Sequence, residues 1–315
     1  MPDRIKQDSS FDVLGDILET LRFRSSIFFR SDLAAPWGIS LIEMGCPRFH
    51  IALDGECFIG AKHHDAVKLG EMDIIMLPNG GSHWIADKPG RELIASDRAG
   101  KACELDEPFF QQGTITNRLM CGIVTYDQGA QHPILGALPE IINFSKLKSS
   151  GPIWTLVTLI DAEMRNNHGR GSQITNRLTE ALFLQLLNQY VSENQKTTGF
   201  LSALSDRRIH LALMMIHRDP SYDWSLSLLG EKIGMSRATL VRHFQAAVGV
   251  APMAYINNWR MMKAYNVIKY TSASFEQVAS AIGFTSARTL TRAFVRQFEL
   301  TPSQLRRSQH GKSNS

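Results

Sequence analysis

Five arginines in the C-terminal third have the residue type and the spacing for nucleic-acid recognition. Arg237 and Arg242 lie in one short stretch, and Arg288, Arg292 and Arg296 follow at four-residue intervals in another. A guanidinium can donate two parallel hydrogen bonds to guanine, which gives about 1–3 kcal/mol of discrimination between bases, or it can bind phosphate. Intervals of four place the second group on one face of a helix. Both stretches must therefore be helices that turn a basic face outward.

The residues around these arginines complete two candidate DNA-contacting faces. We predict contacts to bases or phosphates from Ser236, Arg237, Ala238, Thr239, Val241, Arg242, Ala287, Arg288, Thr289, Thr291, Arg292 and Arg296. Methyl groups of valine and threonine on these faces could meet thymine methyls. A lone charged helix face is commonly a solvated surface, so the prediction depends on the pattern occurring twice.

The two stretches belong to a repeat with a period of 49 to 50 residues. Ile233–Phe244 reads IGMSRATLVRHF, and Ile282–Phe294 reads IGFTSARTLTRAF. In each copy an apolar helix ends at a glycine, which can adopt the left-handed backbone of a sharp turn. Ser236 in the first copy, and Thr285 or Ser286 in the second, then offer a hydroxyl that can cap the next helix. This pattern predicts two helix–turn–helix units.

Charge divides the chain into an acidic and a basic part. From Asp206 onward there are 15 Lys and Arg against 6 Asp and Glu, a formal charge of +9, whereas the preceding residues carry −5. A basic block is typical of a domain that neutralises DNA phosphates, although a solvated basic surface is the alternative. The 315 residues are enough for two domains, and we place a linker near 192–205.

Before that linker, strands give way to helices. Short apolar runs broken by Gly, Pro, Asp and Asn fill Leu41–Val124 and predict an antiparallel barrel or sandwich. Apolar residues at three- and four-residue spacing then predict amphipathic helices at about 152–166 and 174–193. We expect an α+β chain, with a sensor or dimerisation domain over 1–200, whose barrel covers about 15–140, and an all-α domain over 201–315.

Cysteine usage and hydropathy bear on the compartment. Cys46, Cys57, Cys103 and Cys121 have neither zinc-finger spacing nor the density of a secreted disulfide scaffold. The N-terminus is charged throughout, and no run of about 18 apolar residues occurs. We therefore expect a soluble cytoplasmic protein with reduced thiols and no membrane partner.

Two long segments of the basic part carry a family resemblance. GMSRATLVRHFQAAVGVAPMAYINNWRMMKA and SFEQVASAIGFTSARTLTRAFVRQFELTPSQLR resemble the C-terminal domain of AraC/XylS-family transcription regulators, over about 206–308. The resemblance implies helix–turn–helix units at about 225–246 and 274–297. It also implies a joining helix at about 252–269, so that the two recognition helices enter successive major grooves on one side of DNA.

Individual positions either agree with this family pattern or depart from it. Arg260 and Arg306 match arginines that are usual in the family. Glu299 stands where a helix-ending glycine is general, and Ala238 and Val241 stand where a larger or polar base reader is common. These departures leave the operator sequence open.

The acidic half carries a second resemblance. GCPRFHIALDGECFIG, at 45–60, and PNGGSH, at 78–83, resemble the first and second motifs of cupins. This implies a cupin-type domain, as in many such regulators, that binds or responds to an effector. Met72 occupies the place of a usual cupin glycine, and His50 lacks the second histidine of an H-x-H pair.

A metal in this domain would need three or four converging ligands. The candidate ligands are His50, His83, Glu56, His63, His64 and Asp65. Because a strand histidine is usually a packed and hydrogen-bonded residue, we expect no cofactor and keep His50 and His83 as weak metal candidates. The alternative function is a cupin metalloenzyme of the dioxygenase or isomerase type with an accessory DNA-binding domain. No catalytic residue is assigned.

One further segment suggests a redox signal. LMCGIVTYDQGAQHPILGALPEII, at 119–142, resembles part of the regulator subfamily that includes a reactive-chlorine sensor. Cys121 falls on the Cys-Gly of that subfamily, and accessible thiols of low pKa can act as redox switches. A cysteine in an apolar strand can also be a small buried hydrophobe. The sensor candidates are His50, His83 and Cys121.

Together these features predict a sequence-specific DNA-binding transcription regulator rather than an enzyme. Its expected partners are double-stranded promoter DNA, a small-molecule or redox effector, a second copy of the chain, and RNA polymerase. A DNA binder without sequence preference is a third interpretation. The effector, the target genes and the direction of regulation stay open.

Overall fold

The structure is a computed structural model, and it describes residues 12–22, 24–61, 64–98, 101, 110, 112–126, 138–145, 151–167, 171–194 and 200–310. The helices are α1 (Val13–Leu21), α2 (Pro152–Asn166), α3 (Gln173–Glu193), α4 (Phe200–Ser205), α5 (Arg207–Arg218), α6 (Leu226–Ile233), α7 (Arg237–Val248), α8 (Pro252–Tyr270), α9 (Phe275–Ala281), α10 (Ala287–Phe298) and α11 (Pro302–His310). The strands are β1 (Arg24–Leu33), β2 (Gly38–Leu41), β3 (Arg48–Asp54), β4 (Cys57–Ala61), β5 (Val67–Leu69), β6 (Ile74–Leu77), β7 (His83–Ala86), β8 (Ile94–Ala95), β9 (Asn117–Thr125) and β10 (Ile142–Phe144). Within these described ranges, no helix has both the length and the hydropathy to cross a membrane.

The chain divides into two compact units. One unit contains the ten strands with α2 and α3, and the other contains α1 together with α4 to α11. The N-terminal helix α1, which lies inside the range predicted for the sensor domain, therefore belongs to the helical unit. Cys103, His63 and residues 195–199 of the predicted linker lie outside the described residues. The last six residues of that linker form α4 instead of an irregular connection.

The strands form two five-stranded sheets, ordered β1-β9-β3-β6-β10 and β5-β4-β7-β2-β8. The strand pairs are antiparallel except β2 with β8, which are parallel. Side chains of both sheets, among them Phe29, Ile39, Ile59 and Ile75, form one apolar core. The α+β class is confirmed. The expected barrel is instead a sandwich, because the described strands of one sheet form no ladder with those of the other.

Strand β3 is buried on both of its faces. It pairs with β6 on one side and β9 on the other, and successive side chains alternate between the faces. Phe49 and Ile51 are fully buried on the outer face of the sheet, where α3 packs against β1 and β9. Arg48, His50 and Ala52 point the other way, into the sandwich.

Helix α8 is the centre of the helical unit, and α7, α9, α10 and α11 all pack on it. Its aromatic residues pack against both copies of the repeat. Tyr255 contacts Phe244 of α7 with ring centroids 5.7 Å apart, and Tyr265 stacks on Phe294 of α10 at 6.2 Å. Because each copy uses the same phenylalanine position, the repeat in the sequence becomes a repeat in the packing.

Helix α1 packs against α5 and α8 of the same unit. Asp16 accepts hydrogen bonds from His217 Nδ1 at 2.8 Å and from Lys263 Nζ at 2.6 Å. His217 Nε2 lies 2.7 Å from Tyr255 Oη, and since Nδ1 donates to the carboxylate, Nε2 accepts from the tyrosine. The chain of contacts ties α1 to residues about 200 positions away.

Candidate DNA-binding face and buried sensor cluster

Helix α7 is positioned by a short turn whose residues each have a local role. Gly234 ends α6 with φ 67° and ψ 41°, the left-handed backbone that suits glycine. Ser236 caps α7 by accepting a hydrogen bond from the Thr239 N–H at 3.2 Å. Leu240 and Phe244 are fully buried, so the opposite face of α7 is turned to solvent.

Helix α10 repeats this arrangement. Gly283 has φ 80°, and of the two predicted caps it is Ser286 that accepts from the Thr289 N–H, at 3.3 Å. The leucine and phenylalanine of the stripe, Leu290 and Phe294, are fully buried. The turn glycines and serine caps predicted for both copies are thus confirmed.

The predicted DNA-contacting residues lie on the outward sides of α7 and α10 and at their first turns. Ser236, Arg237, Ala238, Arg242, Arg288, Thr289, Arg292 and Arg296 are exposed. Thr239, Val241, Ala287 and Thr291 are half-buried. The structure therefore gathers these residues on one face of each helix, and three of them, Ser236, Thr239 and Thr289, also take part in capping.

The side chains of the five arginines on these faces are available to an external partner. Within the described part of the chain, Arg237, Arg242, Arg288, Arg292 and Arg296 form no ion pair and no side-chain hydrogen bond. An exposed guanidinium keeps all five of its N–H groups for an external acceptor, and it binds phosphate or guanine in bidentate fashion. These faces can therefore accept a polyanion without breaking contacts inside the protein.

The side chains of Arg260 and Arg306, in contrast, are hydrogen-bonded within the protein. Arg260 donates from Nε to the carbonyl of Pro220 at 2.6 Å and from Nη2 to that of Tyr222 at 2.7 Å. Arg306 donates from Nη2 to the carbonyl of Ala273 at 2.6 Å. Each arginine stabilises the turn that precedes the first helix of a copy. These two arginines, which match the family pattern, therefore have a structural role.

In the other unit, the three sensor candidates meet in one buried chain of hydrogen bonds. His50 Nδ1 lies 2.9 Å from Cys121 Sγ, and His50 Nε2 lies 2.8 Å from His83 Nε2. His83 Nδ1 lies 2.7 Å from the carbonyl oxygen of Gly81. Cross-strand register places His50 directly opposite Cys121.

The Gly81 carbonyl fixes the direction of every proton in this chain. A carbonyl can accept but cannot donate, so His83 Nδ1 carries hydrogen, and Nε2 of the neutral imidazole is an acceptor. His50 must then donate from Nε2 and accept at Nδ1, which leaves the Cys121 thiol as the donor at the end. In this arrangement of two neutral imidazoles, all four ring nitrogens are used.

Burial favours the same protonation states. Burial, and then the neighbouring His83, lower the pKa of His50 well below its ordinary value of 6.5. Burial lowers the pKa of His83 to about 4. Cys57, a second cysteine of this core without a histidine partner, has a pKa raised by burial to about 12, which makes it a natural comparison for Cys121.

These residues do not make up a ligand set for a metal. No group of three or more His, Cys, Asp or Glu side chains that could hold a metal occurs among the described residues. Glu56 pairs with Lys68 at 2.7 Å on the surface, and His64 pairs with Glu140 at 2.9 Å at an exposed site. His50 and His83 come together as predicted, but they are engaged with each other.

Sequence reasoning missed two residues at these places. Arg48, buried two residues before His50 in the same strand, was not singled out, although a charge at the start of an apolar strand was visible. Asp16 was missed because its partners His217 and Lys263 are far away in the sequence, and no local pattern marks them.

Comparison with known proteins matches a separate family model to each part of the chain. Residues 12–192 match the family model described as cupin, and residues 229–308 match that described as a helix-turn-helix domain. An uncharacterised HTH-type transcriptional regulator of Haemophilus influenzae is 27% identical over 303 residues, covering 94% of this chain and 99% of that protein. The HTH-type transcriptional regulator AlkR of Acinetobacter baylyi is 24% identical over 310 residues, with coverage of 94% and 99%. The crystal structure of ToxT from Vibrio cholerae aligns over 90% of this chain and 96% of its own, at 10% identity and a TM-score of 0.34.

Proposed function

The chain belongs to the AraC-type transcriptional regulators with an N-terminal cupin domain, and on that premise we propose that it reads a defined promoter site with α7 and α10. It is a DNA-binding transcriptional regulator and not an enzyme. The observation that supports a sequence-specific site is the pair of exposed faces whose five arginines have no partner among the described residues. The cytoplasm is its place of action, and RNA polymerase is a further partner at the promoter.

Selection from a random duplex library with the full-length protein tests this reading. We expect enrichment of a two-part motif whose halves are about 10 base pairs apart, because successive major grooves on one side of DNA have that spacing. Footprinting should then protect the motif and leave a scrambled duplex open. A protein that binds both duplexes equally would be a sequence-neutral binder, and the proposal would be wrong.

We propose further that the buried cluster of His50, His83 and Cys121 couples an effector to DNA binding. A small molecule that alters this cluster, or oxidation of the Cys121 thiol, would have to favour one arrangement of the protein over another to act. Cys57 provides a matched control, since it is buried in the same core without a histidine partner.

The redox form of this proposal is tested by footprinting before and after treatment with hydrogen peroxide. Wild type and Cys57→Ser should change their protection of the motif, whereas Cys121→Ser should not respond. If Cys121→Ser responds like the wild type, the thiol is not the sensor, and the small-molecule form remains.

A homodimer through α2 and α3 completes the proposal. Leu159 on α2 is 49% exposed, and Ile174 and Leu184 on α3 are 58% and 36% exposed. The two helices pack on each other, and exposed apolar side chains on such helices are typical of a surface that pairs with another protein. Sedimentation of the full chain should show a dimer at micromolar concentration, and Leu159→Lys should weaken it; a monomeric wild type would contradict this.

A further inference from the structure

Arg48, the first residue of β3, is a buried cation that points into the sandwich. The residue is 3% exposed. Its Nη1 donates to the carbonyl of Ile42 at 2.8 Å, and its buried Nε has no hydrogen-bond partner among the residues that the structure describes. A buried charge is costly unless it is paired and fully hydrogen-bonded, so its surroundings should supply an anion.

Three other arginines of the same unit show the partner that would be expected. Arg30 pairs with Asp161 at 2.9 Å, Arg91 with Asp87 at 2.7 Å, and Arg118 with Asp32 at 3.0 Å. Their side chains are 13%, 34% and 39% exposed, so all of them need an anion less than Arg48 does. Within the described residues, Arg48 has no carboxylate of its own.

Among the described residues, the titratable groups that interact with Arg48 are two thiols and two imidazoles. Its electrostatic partners are the thiols of Cys46 and Cys121. Burial raises the pKa of Cys46, and the Cys121 thiol is hydrogen-bonded to His50 Nδ1. His50 and His83 are uncharged, because burial holds the pKa of each below its ordinary value. The guanidinium is therefore a cation among neutral groups.

The free edge of this guanidinium defines the kind of anion that fits. Nη1 is used by Ile42, so the edge formed by Nε and Nη2 is left, and this edge donates two parallel hydrogen bonds to a carboxylate. The imidazoles offer no further donor, since all their nitrogens are engaged with each other, Cys121 and Gly81. A monoanion with two coplanar oxygens suits this site better than phosphate, which calls for more donors and more charge.

We propose that Arg48 binds the carboxylate of a small organic acid inside the cupin domain, beside the Cys121–His50–His83 chain. The residues opposite Arg48 in the sheet are Leu77 and Ile123, so the body of the acid is apolar. The acid is then the effector of the regulator. This last step rests on the proposed sensory function, whereas binding at Arg48 does not.

The test uses full-length protein and two pairs of probes: sodium acetate with acetamide, and sodium benzoate with benzamide, at constant ionic strength. Within each pair the hydrocarbon part is the same, and the charged carboxylate is replaced by a neutral amide. We expect at least one carboxylate to raise the unfolding temperature of the wild type, and its amide to leave it unchanged. Titration calorimetry should give a dissociation constant about 10- to 100-fold weaker for Arg48→Gln, because charged hydrogen bonds are lost.

Two variants separate a binding role from a structural one. Arg118→Gln removes an arginine of the same unit that already has a partner, and it should respond to the carboxylate like the wild type. Arg48→Gln should unfold, without probe, at a temperature no lower than the wild type, since it removes an unpaired buried charge. Equal responses in Arg48→Gln and wild type, or no carboxylate response in the wild type beyond that of the amides and sodium chloride, would overturn the proposal.

The rival counter-ion is a thiolate of the chain itself. Absorbance at the thiolate band, followed against pH in the wild type and in Cys121→Ser, should show no thiolate of Cys121 at neutral pH. A thiolate already present there would overturn the proposal. Footprinting with the bound probe is a separate readout. If a carboxylate binds without any change in the footprint, the binding site stands but its sensory role is wrong. If the protein protects no DNA at all, only the proposed function is wrong.

Discussion

The first helix–turn–helix copy presents Ala238, Val241 and Arg242 from α7, whereas the second presents Arg288, Arg292 and Arg296 from α10. Behind these faces the two copies are alike: both have a serine cap, a left-handed turn glycine and a leucine–phenylalanine stripe. The difference shows that the buried stripe and the caps fix the fold, while the outward positions can change without cost to it. The second face carries three exposed arginines, whereas the first carries two, Arg237 and Arg242, together with Ala238 and Val241.

The turn glycines differ more than the sequence suggests. Both have positive φ, but a Cβ added at Gly234 would meet nothing within 4 Å, whereas one at Gly283 would lie 2.5 Å from the Ser221 carbonyl oxygen. Gly283 is therefore required for two reasons, conformation and close approach, and Gly234 for one.

The largest expected effect comes from breaking this turn in the second copy. Gly283→Ala should lower the free energy of unfolding by about 2–4 kcal/mol, since left-handed strain adds to overpacking against backbone. Gly234→Ala should cost about 1–2 kcal/mol, from strain alone. Chemical denaturation of both variants measures the difference, and equal losses would mean that the Ser221 contact relaxes freely.

Removing one arginine from each face should show which base pairs of the motif each copy contacts. Arg292→Ala and Arg242→Ala are each expected to relax base preference by about 1–3 kcal/mol, at different positions of the selected motif. The measurement is the affinity for motifs changed at one base pair at a time. Arg207→Ala, an exposed arginine on α5, removes the same charge elsewhere and should weaken all duplexes alike. Equal losses on specific and random DNA for the α7 and α10 variants would make these arginines phosphate contacts.

The helical repeat could be predicted from the sequence because its determinants are local. A glycine, a serine and an apolar stripe at fixed spacing specify the turn, the cap and the buried face of each copy, and Ser236, Ser286 and Gly234 were identified from these signals. The α+β class followed from the same kind of pattern in the strands.

The remaining features depend on contacts between distant residues. Whether strands close a barrel depends on edge pairing, which leaves no periodic signal, and the predicted barrel is a sandwich. His50 and His83 were recognised as candidates, but their bond to each other and to Cys121 depends on the register of β3 with β9. The contacts of α1 with α5 and α8 join residues about 200 positions apart. A pattern within a short stretch of sequence could not predict them.

Helix α1 supports the helical unit through its contacts with α5 and α8. Asp16→Asn should lower the free energy of unfolding by about 1–2 kcal/mol at neutral pH, because charged hydrogen bonds from His217 and Lys263 are lost at a partly exposed site. Burial tends to raise the pKa of Asp16, but these two partners leave it lowered. A carboxylate with a lowered pKa stabilises the fold above its ordinary value of 3.8 and ceases to do so as pH falls through the folded value.

Wild type and Asp16→Asn should therefore converge in stability as the pH falls below the ordinary carboxyl range. Denaturation curves at a series of pH values measure this. Glu19→Gln, on the exposed side of the same helix, removes one negative charge and should leave the pH dependence intact. A constant gap between wild type and Asp16→Asn at all pH values would show that the loss is one of packing.

The smallest expected effect concerns how α7 and α10 end. Both helices end in a left-handed residue, Gly249 with φ 85° and Glu299 with φ 57°, and only glycine adopts this backbone without strain. Glu299→Gly should therefore raise the free energy of unfolding by about 0.5–1 kcal/mol, after the greater entropy of glycine in the unfolded chain is subtracted. Glu299→Ala keeps the strain and removes the negative charge from a helix C-terminus, so it measures the dipole contribution separately. If the free energy of unfolding rises equally in both variants, the negative charge of Glu299, and not its backbone strain, makes the C-terminus of α10 less stable.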